Sequence, residues 1–507
     1  MNLMMLLEMA AQGFGDRVAF KNGDDTLSYQ ELFDAAGQAA AQFKTQDCEH
    51  LALLDVSSLA FPIAVFASAW AGRPVVPFNY RLAGAEVEAL LERVQPALLV
   101  TDEERVVTLA GTAGITTQET NAFIHKASAG TASLEQNWSM DPEDVAVLLF
   151  TSGTTGAPKA AVLRHRHLVS YLFGTTEFGS DLTETALVAV PPYHIAGVIS
   201  VLSAVFAGRT IVQMPNFNAR GWIKLARKEK ITTAFLVPTM LAQIVKELEM
   251  EGLDAQGAVD LPHLKALAYG GGKMPQPVIE KAMALLPHVG FTQAYGLTET
   301  ASTLSVLRPA DHRDALASDD PVIRRRVTSV GRLLPGLELQ IRDQEGNVLQ
   351  PSQRGEIFVR GEQVSGEYVG RGSVLDADGW FPTRDAGEVD DEGFIFLEGR
   401  ADDVIVRGAE NMSPGEIEDV LVRHPSVADV GVVGVPDEHW GEAVAAVVVL
   451  KPDTEATVEE LQAWVKATLR SSRVPQVIRF VPELPYNETG KLLRRTIRID
   501  LAAAKEG

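Results

Sequence analysis

Between residues 27 and 100, apolar positions come in short runs of a few residues, separated by longer amphipathic stretches. That alternation predicts strands alternating with helices. A short strand at 26–28 runs into a helix, with Ser28 as N-cap and Glu31 three residues on completing a capping box. Further strands are expected at 51–54, 73–77 and 97–100, with a helix at 62–71. The rhythm returns over 145–265, with strands at 186–190, 210–213 and 233–237. Residues 145–150 are an uninterrupted apolar run, as expected of a central parallel strand buried on both faces. Strands alternating with helices imply doubly wound parallel sheets.

After residue 330 the pattern shortens. Two acidic, glycine-ended turns, Asp343-Gln344-Glu345-Gly346 and Asp390-Asp391-Glu392-Gly393, punctuate short β-rich segments and predict a small β-subdomain. Beyond residue 400, a helix at 414–423, strands at 427–435 and 443–450, a helix at 458–469 and a basic tail at 491–498 predict a compact α+β unit. The expected fold is therefore α/β: a large N-terminal domain, 1–400, with doubly wound sheets and a small β-subdomain, and a small C-terminal domain, 401–507.

Composition narrows the function. The chain is 46% hydrophobic and 22% charged, the balance of an ordinary globular protein. Its formal charge of −22 argues against nucleic-acid binding, which needs a basic surface. Any polyanionic substrate must meet positive groups built locally against that field. The one cysteine, Cys48, excludes an intrachain disulfide and a multi-cysteine zinc site, and reads as a small buried apolar group. The N-terminus lacks a basic leader and reads as an amphipathic first helix. The apolar runs near 61–70 and 198–207 are too short to cross a bilayer. A cytoplasmic enzyme without membrane insertion is expected, with a homodimer as the default oligomer.

Several segments carry chemistry. Thr151-Ser152-Gly153-Thr154-Thr155-Gly156-Ala157-Pro158-Lys159 follows a buried strand, and its glycines, hydroxyls and lysine suit a phosphate. It lacks the Gly-Lys-Ser/Thr of a Walker A loop, which argues against a GTPase or kinase. Pro191-Pro192-Tyr193-His194 sets an aromatic–histidine pair on a stiffened backbone. Tyr269-Gly270-Gly271-Gly272 offers a bare backbone surface for a flat base. Gln293-Ala294-Tyr295-Gly296-Leu297-Thr298-Glu299-Thr300, Trp380-Phe381-Pro382-Thr383-Arg384-Asp385, Gly399-Arg400-Ala401-Asp402, Arg407-Gly408-Ala409 and Pro485-Tyr486-Asn487-Glu488-Thr489-Gly490-Lys491 follow in order.

In that order and over nearly the whole chain, these segments resemble the adenylate-forming superfamily of acyl- and aryl-CoA synthetases, peptide-synthetase adenylation domains and beetle luciferases. The resemblance implies an AMP-forming acid–thiol ligase using ATP, Mg2+ and CoA on a small carboxylic acid, with a C-terminal domain that moves between half-reactions. It implies Lys491, Glu299, Thr298 and His194 as catalytic residues. ATP or AMP would lie on Thr151, Ser152, Gly153, Thr154, Thr155, Gly156, Lys159, Gly270, Gly271, Gly272, Gln293, Ala294, Tyr295, Gly296, Thr298, Asp385 and Arg400. Tyr295 would stack on adenine and Asp385 would accept both ribose hydroxyls. Glu299 and Thr154 would hold the metal, and Asp402 would be the hinge.

Arg407, Gly408, Ala409 and His194 would line the pantetheine tunnel. Tyr193, His194, Gly197, Val198, Tyr269, Gly271 and Ala294 would form the acyl pocket, and the small Gly197 and Ala294 point to an acid larger than acetate. Two positions depart from the pattern: Arg384 and Ala409 stand where many relatives have glycine. No acid replaces Pro191-Pro192-Tyr193-His194 to anchor an amino group, which disfavours amino-acid activation. Loading of a carrier protein and luciferase-like oxygenation stay open as alternatives.

Overall fold

Helices sandwiched between two large sheets account for the longest apolar stretches. The computed structural model describes all residues except 83, 113–114, 131–135, 152–157, 180–182, 253–259, 401–402, 408–409, 438, 487–491 and 504–507. One sheet has nine strands, and its inner six, from Gly290–Leu297 across to Val18–Asn22, run parallel. The other has eight strands, five of them parallel, from Val145–Thr151 to Thr116–Gln118. Residue alternation puts Leu51 and Leu53 in the core between the sheets, and Ala52 and Leu54 in the core on the outer face. Both faces are covered, so the strand reads as a continuous apolar run.

The helix Ala60–Ala71 lies in that central core and is buried at every residue but the last. It is apolar all round because no face meets water. Burial of each of its large side chains stabilises the fold by roughly 1.5–3 kcal/mol. It starts two residues before the predicted 62, because the Ser58 hydroxyl accepts from the Ala60 amide and Pro62 falls harmlessly in the first turn. Gly72, with φ of 71°, ends it. The predicted capping box is present: Ser28 Oγ accepts from Glu31 N at 3.1 Å, and Glu31 Oε2 from Ser28 N at 2.7 Å.

Two expectations change. Val145–Thr151 is parallel to Val75–Pro77 on one side but antiparallel to Lys159–Arg164 on the other, with Thr151 opposite Lys159. Too few residues separate the two strands for a parallel crossover, so the chain doubles back. The Gly/Thr-rich segment therefore lies between two antiparallel strands. The basic tail at 491–498 is also partly helical: Arg494–Ala503 forms a helix that buries Ile497 and Leu501, one turn apart. Arg494 binds Glu418 through two hydrogen bonds of 2.6 and 2.8 Å.

The β-subdomain is an antiparallel sheet of Glu338–Arg342, Gly355–Arg360, Phe381–Val389 and Ile395–Arg400. Both acidic turns close by a glycine amide donating to the aspartate carbonyl, Gly346 to Asp343 and Gly393 to Asp390. Residues 405–480 form a separate smaller sheet, built around the long hairpin of Val427–Asp437 and Gly441–Leu450. Its helix Pro414–Leu421 reaches the large domain: Lys273 pairs with Asp419 at 2.7 Å, and Ser413 Oγ donates to the Glu398 carbonyl. Cys48 is buried, as expected.

Candidate active site

The polar groups converge where strand ends of the nine-stranded sheet meet the β-subdomain. Gly290–Leu297 carries Gln293, Ala294, Tyr295 and Gly296, and then breaks into the 3-10 turn Thr298–Thr300. Gly296 is compelled by its neighbour, since a Cβ there would overlap the Ser302 carbonyl. Gly270 likewise lies against the Ala294 carbonyl, while Gly271 adopts φ of 81° and turns the chain.

Asp385 sits opposite Arg400 in the subdomain sheet. Its carboxylate is largely buried and held from both sides. Tyr295 donates its hydroxyl to Oδ2 at 2.6 Å, and Arg400 Nη1 donates to Oδ1 at 2.9 Å. Arg400 also reaches the Thr383 carbonyl at 2.8 Å. Burial, then the Asp385 charge, pushes the Tyr295 phenol well above its ordinary range, so it stays a donor. Burial works against the Arg400 charge, but Asp385 above all, with Glu299 acting in the same sense, raises its pKa overall, so one guanidinium sees both carboxylates. Tyr295 is itself buried.

Glu299 is held by a segment that sequence reasoning passed over. Tyr368 donates its hydroxyl to Glu299 Oε1 at 2.6 Å, and the Ser365 amide donates to the Glu299 carbonyl at 2.8 Å. Gln363 Nε2 donates to the carbonyls of Thr300 and Thr303 at 2.9 and 2.8 Å. Nothing in the local sequence 363–368 announces this role. Among the described residues, no lysine or arginine ion-pairs with Glu299, and no group of three or more His, Cys, Asp or Glu could hold a metal unaided.

Three residues expected in the acyl pocket, Tyr269, Val198 and Gly197, are packed tightly against their neighbours. Tyr269 has no exposed surface, and its hydroxyl lies 2.8 Å from His312 Nε2. His312 Nδ1 lies 2.9 Å from the Arg308 carbonyl and donates to it, so Nε2 accepts from Tyr269. Tyr269 is thus a core residue, on the face of the sheet with Trp222 and Leu267. Val198 also lies wholly in the core. Gly197 is small because a Cβ would overlap the Pro191 carbonyl, so its size says nothing of the acid. His194 precedes the helix Ile195–Ala207 at its N-cap position, and the Tyr193 ring lies between it, tilted at 4.6 Å, and Tyr80, edge-on at 5.4 Å.

Arg407 lies in the C-terminal sheet, its guanidinium 5.0 Å over the Trp440 ring and donating to the Ser472 carbonyl at 3.1 Å. Lys273, next to the glycine turn, also reaches the Gly415 carbonyl at 3.4 Å and so links that turn to the C-terminal helix. Ser152, Gly153, Thr154, Thr155, Gly156, Asp402, Gly408, Ala409 and Lys491 lie outside the described residues.

Arg384 adopts a backbone conformation that favours glycine. Its φ is 61°, in the left-handed region, beside a bulge in the strand pairing. Its side chain is mostly exposed and comes only within 3.8 Å of Glu356. Arg384→Gly relieves roughly 1–2 kcal/mol of backbone strain and returns part of it through unfolded-chain entropy. The expected net result is a gain of about 0.5 kcal/mol, seen as a higher urea midpoint. A loss above ~1 kcal/mol would mean that the arginine side chain contributes binding absent from these contacts.

Residues 7–369 match the family of AMP-binding enzymes, and residues 416–491 match the AMP-binding enzyme C-terminal domain. The chain is 33% identical to the fatty acid–[acyl-carrier-protein] ligase ScoC of Streptomyces coeruleorubidus, covering 93% of this chain and 91% of that one. It is 31% identical to the 2-succinylbenzoate–CoA ligase of Bacillus licheniformis, covering 97% and 98%. The o-succinylbenzoate CoA synthetase of Bacillus subtilis, solved with its acyl-adenylate intermediate, superposes with a TM-score of 0.82 at 27% identity, covering 97% of each chain.

Proposed function

The chain belongs to the family of AMP-binding enzymes, and from that premise we propose that it is an ATP-dependent acyl-CoA synthetase whose nucleotide is held by Asp385, Arg400 and Tyr295. The supporting observation is the Asp385 carboxylate, oriented from both sides while Arg400 also feels Glu299. An acceptor fixed in this way suits the paired hydroxyls of a ribose, and the nearby guanidinium suits a phosphate.

The residues also fit a magnesium ion. Mg2+ binds through one or two carboxylates together with substrate phosphates and water, so a single hard-oxygen donor beside a nucleotide site suffices. Glu299 supplies that donor and Thr154 would be the second. The bound ion supplies positive charge against the phosphates.

The chemistry proceeds in two displacements. A carboxylate oxygen attacks the α-phosphorus of ATP, the bond to the bridging oxygen of pyrophosphate breaks, and an acyl-AMP forms. The CoA thiol sulfur then attacks the acyl carbon. The bond to the AMP oxygen breaks, AMP leaves, and the thiol proton is released. Bringing two anions together is the first difficulty, and positioning with charge neutralisation answers it. Arg400, Lys159 and Lys491 are the neutralising side chains we assign, with Asp402 as the hinge that exchanges Lys491 for the 407–409 loop. Of the expected acyl pocket, Tyr193, His194, Gly271 and Ala294 stay as the lining we assign.

Mass spectrometry of the purified protein with ATP, Mg2+, CoA and a pool of carboxylic acids tests this reading. Acyl-CoA and AMP are expected. Similarity to the carrier-protein ligase favours a second reading, in which acyl-adenylate accumulates with CoA and clears only on addition of a holo acyl carrier protein. Release of ADP in place of AMP would overturn both.

A further inference from the structure

Tyr368 lies on the two-residue strand Glu367–Tyr368, which pairs with Lys159–Arg164 through Tyr368 and Ala161. That pairing carries the ring from the edge of the eight-stranded sheet to the turn Thr298–Thr300, which belongs to the other large sheet. At the turn, its hydroxyl meets Glu299 Oε1 at 2.6 Å. On its face, the ammonium of Lys159 stands 5.8 Å from the ring centroid. The phenol therefore meets the carboxylate through its hydroxyl and the lysine at the end of the Gly/Thr-rich segment through its ring face. The segment that bears it is fixed at several further points. Ser365 Oγ donates to the Val162 carbonyl, Arg164 holds Glu367 in a bidentate pair, and the Ser365 amide holds the Glu299 backbone.

We propose that Tyr368 is a positioning residue for Glu299: its hydroxyl occupies one carboxylate oxygen and aims the other at the metal of the nucleotide. The inference rests on Glu299 being the metal's protein donor. A carboxylate free to rotate, or drawn onto a neighbouring ammonium, would present itself to a cation only part of the time. One strong hydrogen bond to a single oxygen fixes the side-chain torsions and leaves the second oxygen's lone pairs available. This arrangement differs from a ligand role, because the hydroxyl is already committed to the carboxylate.

The test is Tyr368→Phe, which keeps the ring and its packing and removes only the hydroxyl. Mn2+ binding is read by electron paramagnetic resonance on the full-length protein with α,β-methylene-ATP, beside the wild type and Glu299→Gln. Removing a partner of a metal-binding group typically weakens metal affinity ~10–100-fold. Tyr368→Phe is expected to weaken Mn2+ binding about tenfold and to raise the half-saturating Mg2+ in acyl-adenylate formation by the same factor. Glu299→Gln is expected to weaken it further, and Tyr368→Phe in that background to add nothing. Mn2+ affinity within twofold of wild type in Tyr368→Phe overturns the proposal, whether or not turnover falls. If Glu299→Gln itself binds Mn2+ as the wild type does, the proposal falls together with the metal role of Glu299, while AMP formation by the wild type would still stand.

Discussion

An Asp385→Ala variant is expected to bind AMP at least ~10²-fold more weakly than the wild type and to lose about 3 kcal/mol of stability. The affinity figure follows from two ribose hydroxyls donating to a charged acceptor. Each such bond contributes roughly 1.5 kcal/mol, and each 1.4 kcal/mol is tenfold. The stability figure follows from what the carboxylate now satisfies. Arg400, with 24% of its side chain exposed, loses its ion-pair partner at 2.9 Å, and the buried Tyr295 hydroxyl loses its acceptor at 2.6 Å. Removing one member of a largely buried pair costs roughly 3–5 kcal/mol, here reduced somewhat because Arg400 keeps the Thr383 carbonyl. Asp385→Asn keeps the shape and one acceptor and should recover most of the stability but little of the affinity. Calorimetry with AMP and urea unfolding separate the two effects. AMP affinity within threefold of wild type in a folded Asp385→Ala protein would place the ribose elsewhere.

Much of this site could be read from the sequence because its parts lie at ends of regular elements. Tyr295 lies on a strand with alternating burial, Thr298 and Glu299 follow it directly, and Asp385 and Arg400 face each other across a hairpin. What escaped is of two kinds. Residues whose role depends on a contact distant in sequence leave no local signal: Tyr368 is 69 positions from Glu299, and Gln363 is 63 from Thr300. Small or aromatic residues near a site are also ambiguous between lining and packing. Gly197 answers to the Pro191 carbonyl and Tyr269 to His312, and neither constraint can be seen without the third dimension. The direction of the strand after the Gly/Thr-rich segment belongs to the same class, although the few residues between the strands already disfavoured a parallel crossover. The helix at Arg494–Ala503 could have been found: Ile497 and Leu501 stand at i and i+4 within a basic stretch.

The loss in Lys491→Ala should differ between the half-reactions. Acyl-adenylate formation is expected to slow by at least ~10²-fold, while thioester formation from supplied acyl-adenylate stays within a few-fold of wild type. The first step sets a carboxylate against an α-phosphate, and removing one preorganised charge from such a site typically costs ~10²–10³ in rate. The second step starts from a neutral acyl carbon and a thiol and has no such repulsion to offset. The flanks of 487–491 are themselves fixed to the C-terminal domain. Tyr486 and Leu492 form an antiparallel bridge, the Leu493 amide donates to the Pro485 carbonyl at 2.8 Å, and Tyr486 donates to Asp429 Oδ2 at 2.8 Å. Behind them, the Arg494–Glu418 pair fixes the start of the last helix to the C-terminal domain. Lys491→Arg keeps the charge but replaces a compact ammonium with a planar fork, and should stay at least tenfold slow in the first step. Adenylation near the wild-type rate in Lys491→Ala, or equal losses in both steps, would remove the lysine from this role and pass the neutralisation to Arg400 and Lys159. Those two side chains stand on the large domain, so turnover would then not require the small domain to bring a charge to the site.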